Sequence, residues 1–218
     1  MQKLVRGVHA FQKQYFATHR SLFKDLAESG QRPETLFITC SDSRVVPNLI
    51  TSSGPGELFT VRNVGNIVPH VSQPGGTAAA IEFATEVLGV ANIVVCGHTH
   101  CGAIQAILHP EQTKHLPIVR KWLGHAERVR AIVEERYAHL EDGPRSSAAA
   151  AENVLVQLEN LRAFPFVAER LEKGTLQLGG WVFKIETGQV FEFDPATEQF
   201  TEIVAASGPK LGYREDDR

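Results

Sequence analysis

The chain has 218 residues, 43% of them hydrophobic, which is enough for one good core and short for two domains; residues 1–218 therefore read as a single domain. A formal charge of −3 gives no electrostatic reason for a nucleic acid or an anionic membrane as partner, and no segment approaches the length of a membrane span. Three cysteines are too few, and odd in number, for a disulfide framework, so they point to reduced thiols in a cytoplasmic protein.

Apolar residues at helical spacing from Leu4 to Leu26, with Gly30 where a C-cap belongs, predict an amphipathic helical arm over 1–30, broken near Ala17. Three short apolar runs, 35–39, 57–62 and 91–97, read as strands, with a helix over 75–89 before the last. Continuous apolar strands separated by a helix predict a parallel sheet covered on both faces, an α/β fold. Helices follow over 101–108, 117–137, 147–161 and 165–173, the last stopped by Gly174. The alternation on either side of "ETGQ" predicts a C-terminal β-hairpin, and the polar stretch 205–218 a loose tail.

The chemistry gathers at two predicted strand ends. "FITCSDSR" places Cys40, Asp42 and Arg44 within five residues, and "VVCGHTHCGA" places His98 and Cys101 three apart where a strand turns into a helix. In an open parallel sheet, ligands collect at the carboxyl ends of the strands, so these pieces can converge. Two thiolates and one imidazole suit zinc. The spacing favours His98 as the imidazole and leaves His100 as the alternative, while Cys96, inside an apolar run, reads as core.

"CSDSR" followed by "HTHC" resembles the CxDxR and HxxC signatures of the β-class carbonic anhydrases, and "PGELFTVRNVGNIVP" and "GGTAAAIEFA" are similar to that family as well. The resemblance runs from the first helix to the hairpin. It implies one zinc per chain on Cys40, His98 and Cys101, and reversible hydration of carbon dioxide to bicarbonate and a proton by zinc hydroxide. It gives Asp42 the task of orienting that hydroxide, and Arg44 the task of holding Asp42 off the metal. It maps the carbon dioxide pocket onto Gln31, Phe59, Val64 and Phe83, the last a departure from the tyrosine usual in plant-type enzymes. It further implies that the first helix reaches over a partner subunit, making a homodimer, or a higher assembly of dimers, the active form. Two thiolates cancel the zinc charge, so the bound water should ionise above the value of about 7 known for the all-histidine carbonic anhydrase. The second bicarbonate site of some bacterial members, a tryptophan, arginine and tyrosine, falls on Phe37, Arg62 and Phe183 here, so only the arginine is kept. Carboxysomal forms carry a longer C-terminal region, which speaks against a carboxysome role.

Two other chemistries share parts of the pattern. Carbonyl sulfide or carbon disulfide hydrolases use the same fold and metal site. Thiol-nucleophile phosphatases need five residues between cysteine and arginine, where this chain has three. A purely structural zinc site would need neither Asp42 nor Arg44.

Overall fold

The run 35–39 becomes strand β1, Thr35–Cys40, whose residues after the first are all buried, as a strand covered on both faces requires. The computed structural model describes residues 1–73 and 75–204, so the expected tail over 205–218 lies outside the described residues. β1 pairs in parallel with β2, Leu58–Asn63, on one side and with β3, Asn92–His98, on the other. β3 pairs in parallel with β4, Gln177–Phe183. The expected hairpin is there: β4 pairs antiparallel with β5, Val190–Asp194. A further strand not foreseen in the sequence, β6 at Gln199–Glu202, pairs antiparallel with β5 and closes the order β2-β1-β3-β4-β5-β6. β6 is short and largely exposed, so it carries little apolar signal.

The arm is three helices, α1 (Gln2–Lys13), α2 (Tyr15–Thr18) and α3 (Arg20–Ser29). It breaks on either side of Ala17, at Gln14 and His19. The Thr18 hydroxyl bonds the carbonyls of Gln14 and Tyr15, and His19 Nδ1 bonds that of Tyr15, so side chains compete with the helix for its own acceptors. Gly30 caps α3 at φ 74°. After the short α4 (Pro47–Ile50), the helix expected over 75–89 is α5 (Gly76–Glu82) running into a π turn, Phe83–Val87, where Thr85 Oγ1 bonds the carbonyls of Ile81 and Glu82. α6 spans Gly102–Leu108. The single helix expected over 117–137 is divided into α7 (Pro117–Leu123) and α8 (Glu127–Arg136) by a 3₁₀ turn that begins at Gly124. α9 (Asp142–Arg162) starts earlier than expected, and α10 (Pro165–Glu172) ends before Gly174.

α9 organises the interior. Its Val154, Leu158 and Leu161 pack with Leu36, Ile38, Ile93 and Val95 of the sheet, while its Ala149, Ala150 and Val156 pack with Ile104, Val129 and Val133. Each fully buried aliphatic chain there contributes about 1.5–3 kcal/mol. The approach is close enough that a Cβ on Gly97 would lie 2.9 Å from Val154 Cγ2. The opposite face of the sheet carries a smaller cluster of Phe37, Val94 and Cys96. No helix among the described residues is long and apolar enough to cross a membrane.

Candidate metal centre

β1 and β3 are parallel neighbours in register, Thr39 beside Cys96, so Cys40 and His98 leave the sheet at the same edge. Beyond β3 the chain doubles back through His100 at φ 55°, which delivers Cys101 to the N-cap of α6 and to the same corner. The ligating atoms of Cys40, His98 and Cys101 all lie within 4.8 Å of one another, with the two Sγ atoms 4.0 Å apart. All three side chains are buried. His98 Nδ1 lies 2.8 Å from the Thr99 carbonyl, which can only accept, so the ring proton is on Nδ1 and the Nε2 lone pair is free. Nε2 is buried with no hydrogen-bond partner, an arrangement that is expensive unless something else takes the lone pair. Two thiols beside an orphaned imidazole lone pair fit a soft divalent cation. His100 is not the third member: its side chain is 67% exposed and its Nε2 lies 3.7 Å from Glu186.

The thiols interact before any cation is considered. Cys101 donates to Cys40, which carries the Cys40 thiol far below its ordinary range and pushes Cys101 up. Gly65 N–H also donates to Cys40 Sγ, at 3.4 Å. One thiolate therefore forms readily, and a cation's charge is what removes the second proton. Cys96, expected as core, is fully buried, and its thiol is raised to about 12 by that burial.

Asp42 stands at the rim, with Oδ2 4.0 Å from His98 Nε2. Arg44 grips it with Nε to Oδ1 at 2.9 Å and Nη2 to Oδ2 at 2.7 Å, and adds its own backbone N–H to Oδ1. The same Nη2 donates to the His100 carbonyl, which fixes the fork to the far side of the corner. The guanidinium holds the Asp42 carboxyl well below the usual carboxylate range.

The residues expected to form the carbon dioxide pocket are not gathered with the corner inside one chain. Val64 is, because it precedes Gly65. Phe59 meets Phe83 with ring centroids 5.9 Å apart, but it pairs with Leu36, four positions upstream of the Cys40–Asn63 pair and so about 13 Å along the strand. Gln31 is exposed and precedes the opposite end of β1. Arg62 is committed to the Cys40 and Asp42 carbonyls, at 3.2 and 2.8 Å, and Phe37 is buried against Trp181.

The sequence reading missed the polar residues behind the corner. Asn153, Gln157 and Asn160 recur at i, i+4 and i+7 on α9, and Asn153 and Gln157 are completely buried. Three amides on one face of a helix crossing an apolar sheet were the available signal.

The chain is similar to known proteins along most of its length. The family model described as Carbonic anhydrase matches residues 35–190. The chain is 46% identical to a carbonic anhydrase of Synechocystis sp. over 202 residues, covering 92% of this chain and 73% of that one. It is 47% identical to a carbonic anhydrase of Pseudomonas aeruginosa over 204 residues, covering 93% and 92%. Among solved structures, the β-carbonic anhydrase CcaA superposes with a TM-score of 0.91 at 44% identity, covering 94% of this chain and 92% of that chain. A tetrameric β-carbonic anhydrase of Sordaria macrospora superposes at 0.80 with 30% identity, covering 88% and 95%.

Proposed function

The chain belongs to the β class of the carbonic anhydrase family and is an enzyme of reversible carbon dioxide hydration; from that premise we propose how its own residues carry the reaction. One zinc ion per chain is held by Cys40, His98 and Cys101, and the observation that carries this reading is the buried, unpartnered His98 Nε2 facing two thiols. Bound there, zinc would supply the acidity that makes a water nucleophilic, less strongly than at an all-histidine site because two thiolates would cancel its charge.

Asp42 then acts as an acceptor only. With its carboxylate kept ionised by Arg44, it takes a hydrogen bond from the attacking water and so turns a lone pair toward the carbon of the substrate. Arg44 has the second task of keeping that carboxylate off the ion, where it would close the site. Its bond to the His100 carbonyl braces it against such a swing. Carbonyl sulfide hydrolysis is not favoured, since the relatives are carbonic anhydrases. Phosphatase chemistry is not favoured either, because the guanidinium that would grip an oxyanion is already filled by Asp42.

The pocket is completed by a second copy of the chain. Gln31, Phe59 and Phe83 lie away from the corner of their own chain, and α1, α2 and α3 hold no buried residue, so a homodimer, alone or within a larger assembly of dimers, is the smallest active unit. Three unpaired thiols support a reducing, cytoplasmic setting. Metal analysis of the purified protein together with stopped-flow carbon dioxide hydration tests the assignment. One zinc per chain and rapid hydration are expected; an active protein free of metal, or faster turnover of carbonyl sulfide than of carbon dioxide, would overturn it.

A further inference from the structure

The peptide that joins Val64 to Gly65 is held at both of its polar atoms. On one side Trp122 Nε1 donates to the Val64 carbonyl at 2.7 Å; on the other the Gly65 N–H donates to Cys40 Sγ at 3.4 Å. The next carbonyl, that of Gly65, accepts from Asn153 Nδ2 at 3.0 Å. Asn153 is itself fixed by Gln157 Nε2, whose Oε1 takes the Val68 N–H, and Asn160 Nδ2 bonds the Val68 carbonyl. The loop cannot relax by local rotation. Gly65 and Asn66 are both left-handed, at φ 84° and 47°, and a Cβ on Gly65 would stand 3.1 Å from Ala103 Cβ. A segment gripped at this many points is aimed, and what it aims is one N–H at one sulfur.

We propose that Trp122 is a positioning residue which, through the Val64–Gly65 peptide, sets how strongly the Cys40 sulfur donates to the metal; the inference rests on the reading of Cys40 as a ligand. A donor on an amide oxygen polarises the amide and strengthens its N–H at the other end. An N–H on a thiolate draws charge from sulfur, leaves the ion more acidic and favours ionisation of a bound water. Trp122 sits on α7, 58 residues along the chain from Val64, and its indole N–H reaches the corner through this peptide.

Cobalt(II) substituted for zinc reads the effect directly, because the sulfur-to-cobalt charge-transfer band reports the energy of the sulfur lone pairs. Trp122→Phe keeps an aromatic ring and removes the donor. The band is expected to move to longer wavelength while the d–d absorption stays in place, and kcat/KM of the zinc form is expected to fall about tenfold. Trp181→Phe, which removes the indole bonded to Glu192, should leave the band where it is. Should Trp122→Phe fail to fold, the Trp181→Phe protein grown on 5-fluorotryptophan carries a single, more acidic indole at position 122, and its band should move to shorter wavelength. A cobalt-loaded protein whose band is unmoved by either change overturns the inference while leaving the ligand set intact. A wild-type protein that shows no thiolate-to-cobalt band overturns the ligand set, and the inference with it.

Discussion

Cys40, His98 and Cys101 are each at most 4% exposed, while no residue of α1, α2 or α3 is buried. The corner finds nearly all of its partners inside one chain: Arg44 for Asp42, Thr99 for His98, Gly65 for Cys40. The arm is ordered mainly by its own rings, with Phe11, Tyr15 and Phe16 set around Phe23, and it presents Leu4, Val5 and Val8 outward. The contrast separates two properties. On the proposed reading, metal binding belongs to the fold of one chain, whereas the substrate pocket belongs to an assembly.

The sharpest way to break that separation is at the corner itself. Cys101→Ser should lose metal by more than the roughly 10–100-fold that an outer partner costs, with the oligomer unchanged. Metal content after dialysis against a chelator, beside sedimentation velocity, reads both; full occupancy in this variant would remove Cys101 from the ligand set. Next, Asp42→Asn and Arg44→Ala should keep their metal and lose about 10²-fold or more in kcat, since the amide can donate where only acceptance is useful and the freed carboxylate can fall onto the ion. An Arg44→Ala enzyme with wild-type turnover across pH 6–9 would end the bracing role.

The arm gives the converse result. Leu4→Glu with Val8→Glu places charge on its exposed apolar stripe and should weaken association about 30-fold or more while metal content stays at one per chain. Activity falling with dissociation, measured by dilution, ties the pocket to the assembly; full activity in a monomer would untie it.

The smallest effect probes the support behind the corner. Tyr137 donates to the carboxylate of Glu152 on α9 at 2.8 Å, and burial together with that bond raises the phenol above its ordinary value of 10.0. The raised folded-state value means that the contribution is fully present below pH 10 and is lost as pH rises through the folded-state value. Tyr137→Phe should therefore cost about 1.5 kcal/mol in urea unfolding at pH 7.5, and the difference from wild type should shrink above pH 10. A cost that grows with alkaline pH would contradict the assignment.

How legible each region was follows from the same contrast. β1 and β3 are short apolar runs ending in cysteine and histidine, and a parallel sheet brings such ends together, so the corner could be read from residues 37–44 and 94–103. The arm's helices and a break near Ala17 were legible, but not that the chain breaks twice, at Gln14 and His19, which hangs on hydrogen bonds from Thr18 and His19 that spacing does not encode. The π turn at Phe83 keeps helical periodicity and so hid inside it. Asn153 and Gln157 were passed over because their partners lie 88 and 89 residues away, and nothing local marks a buried amide as satisfied.

The ligands also have a topological consequence. Cys40 and Cys101 are 61 residues apart in sequence and meet only because β1 and β3 lie side by side. An ion that joins them is a reversible cross-link closing a loop of that length, which by chain-entropy arithmetic is comparable to a disulfide of about 4 kcal/mol. In a compartment where thiols stay reduced, the proposed cation would take over the stapling that cysteines perform elsewhere, and stability would become a function of free metal concentration.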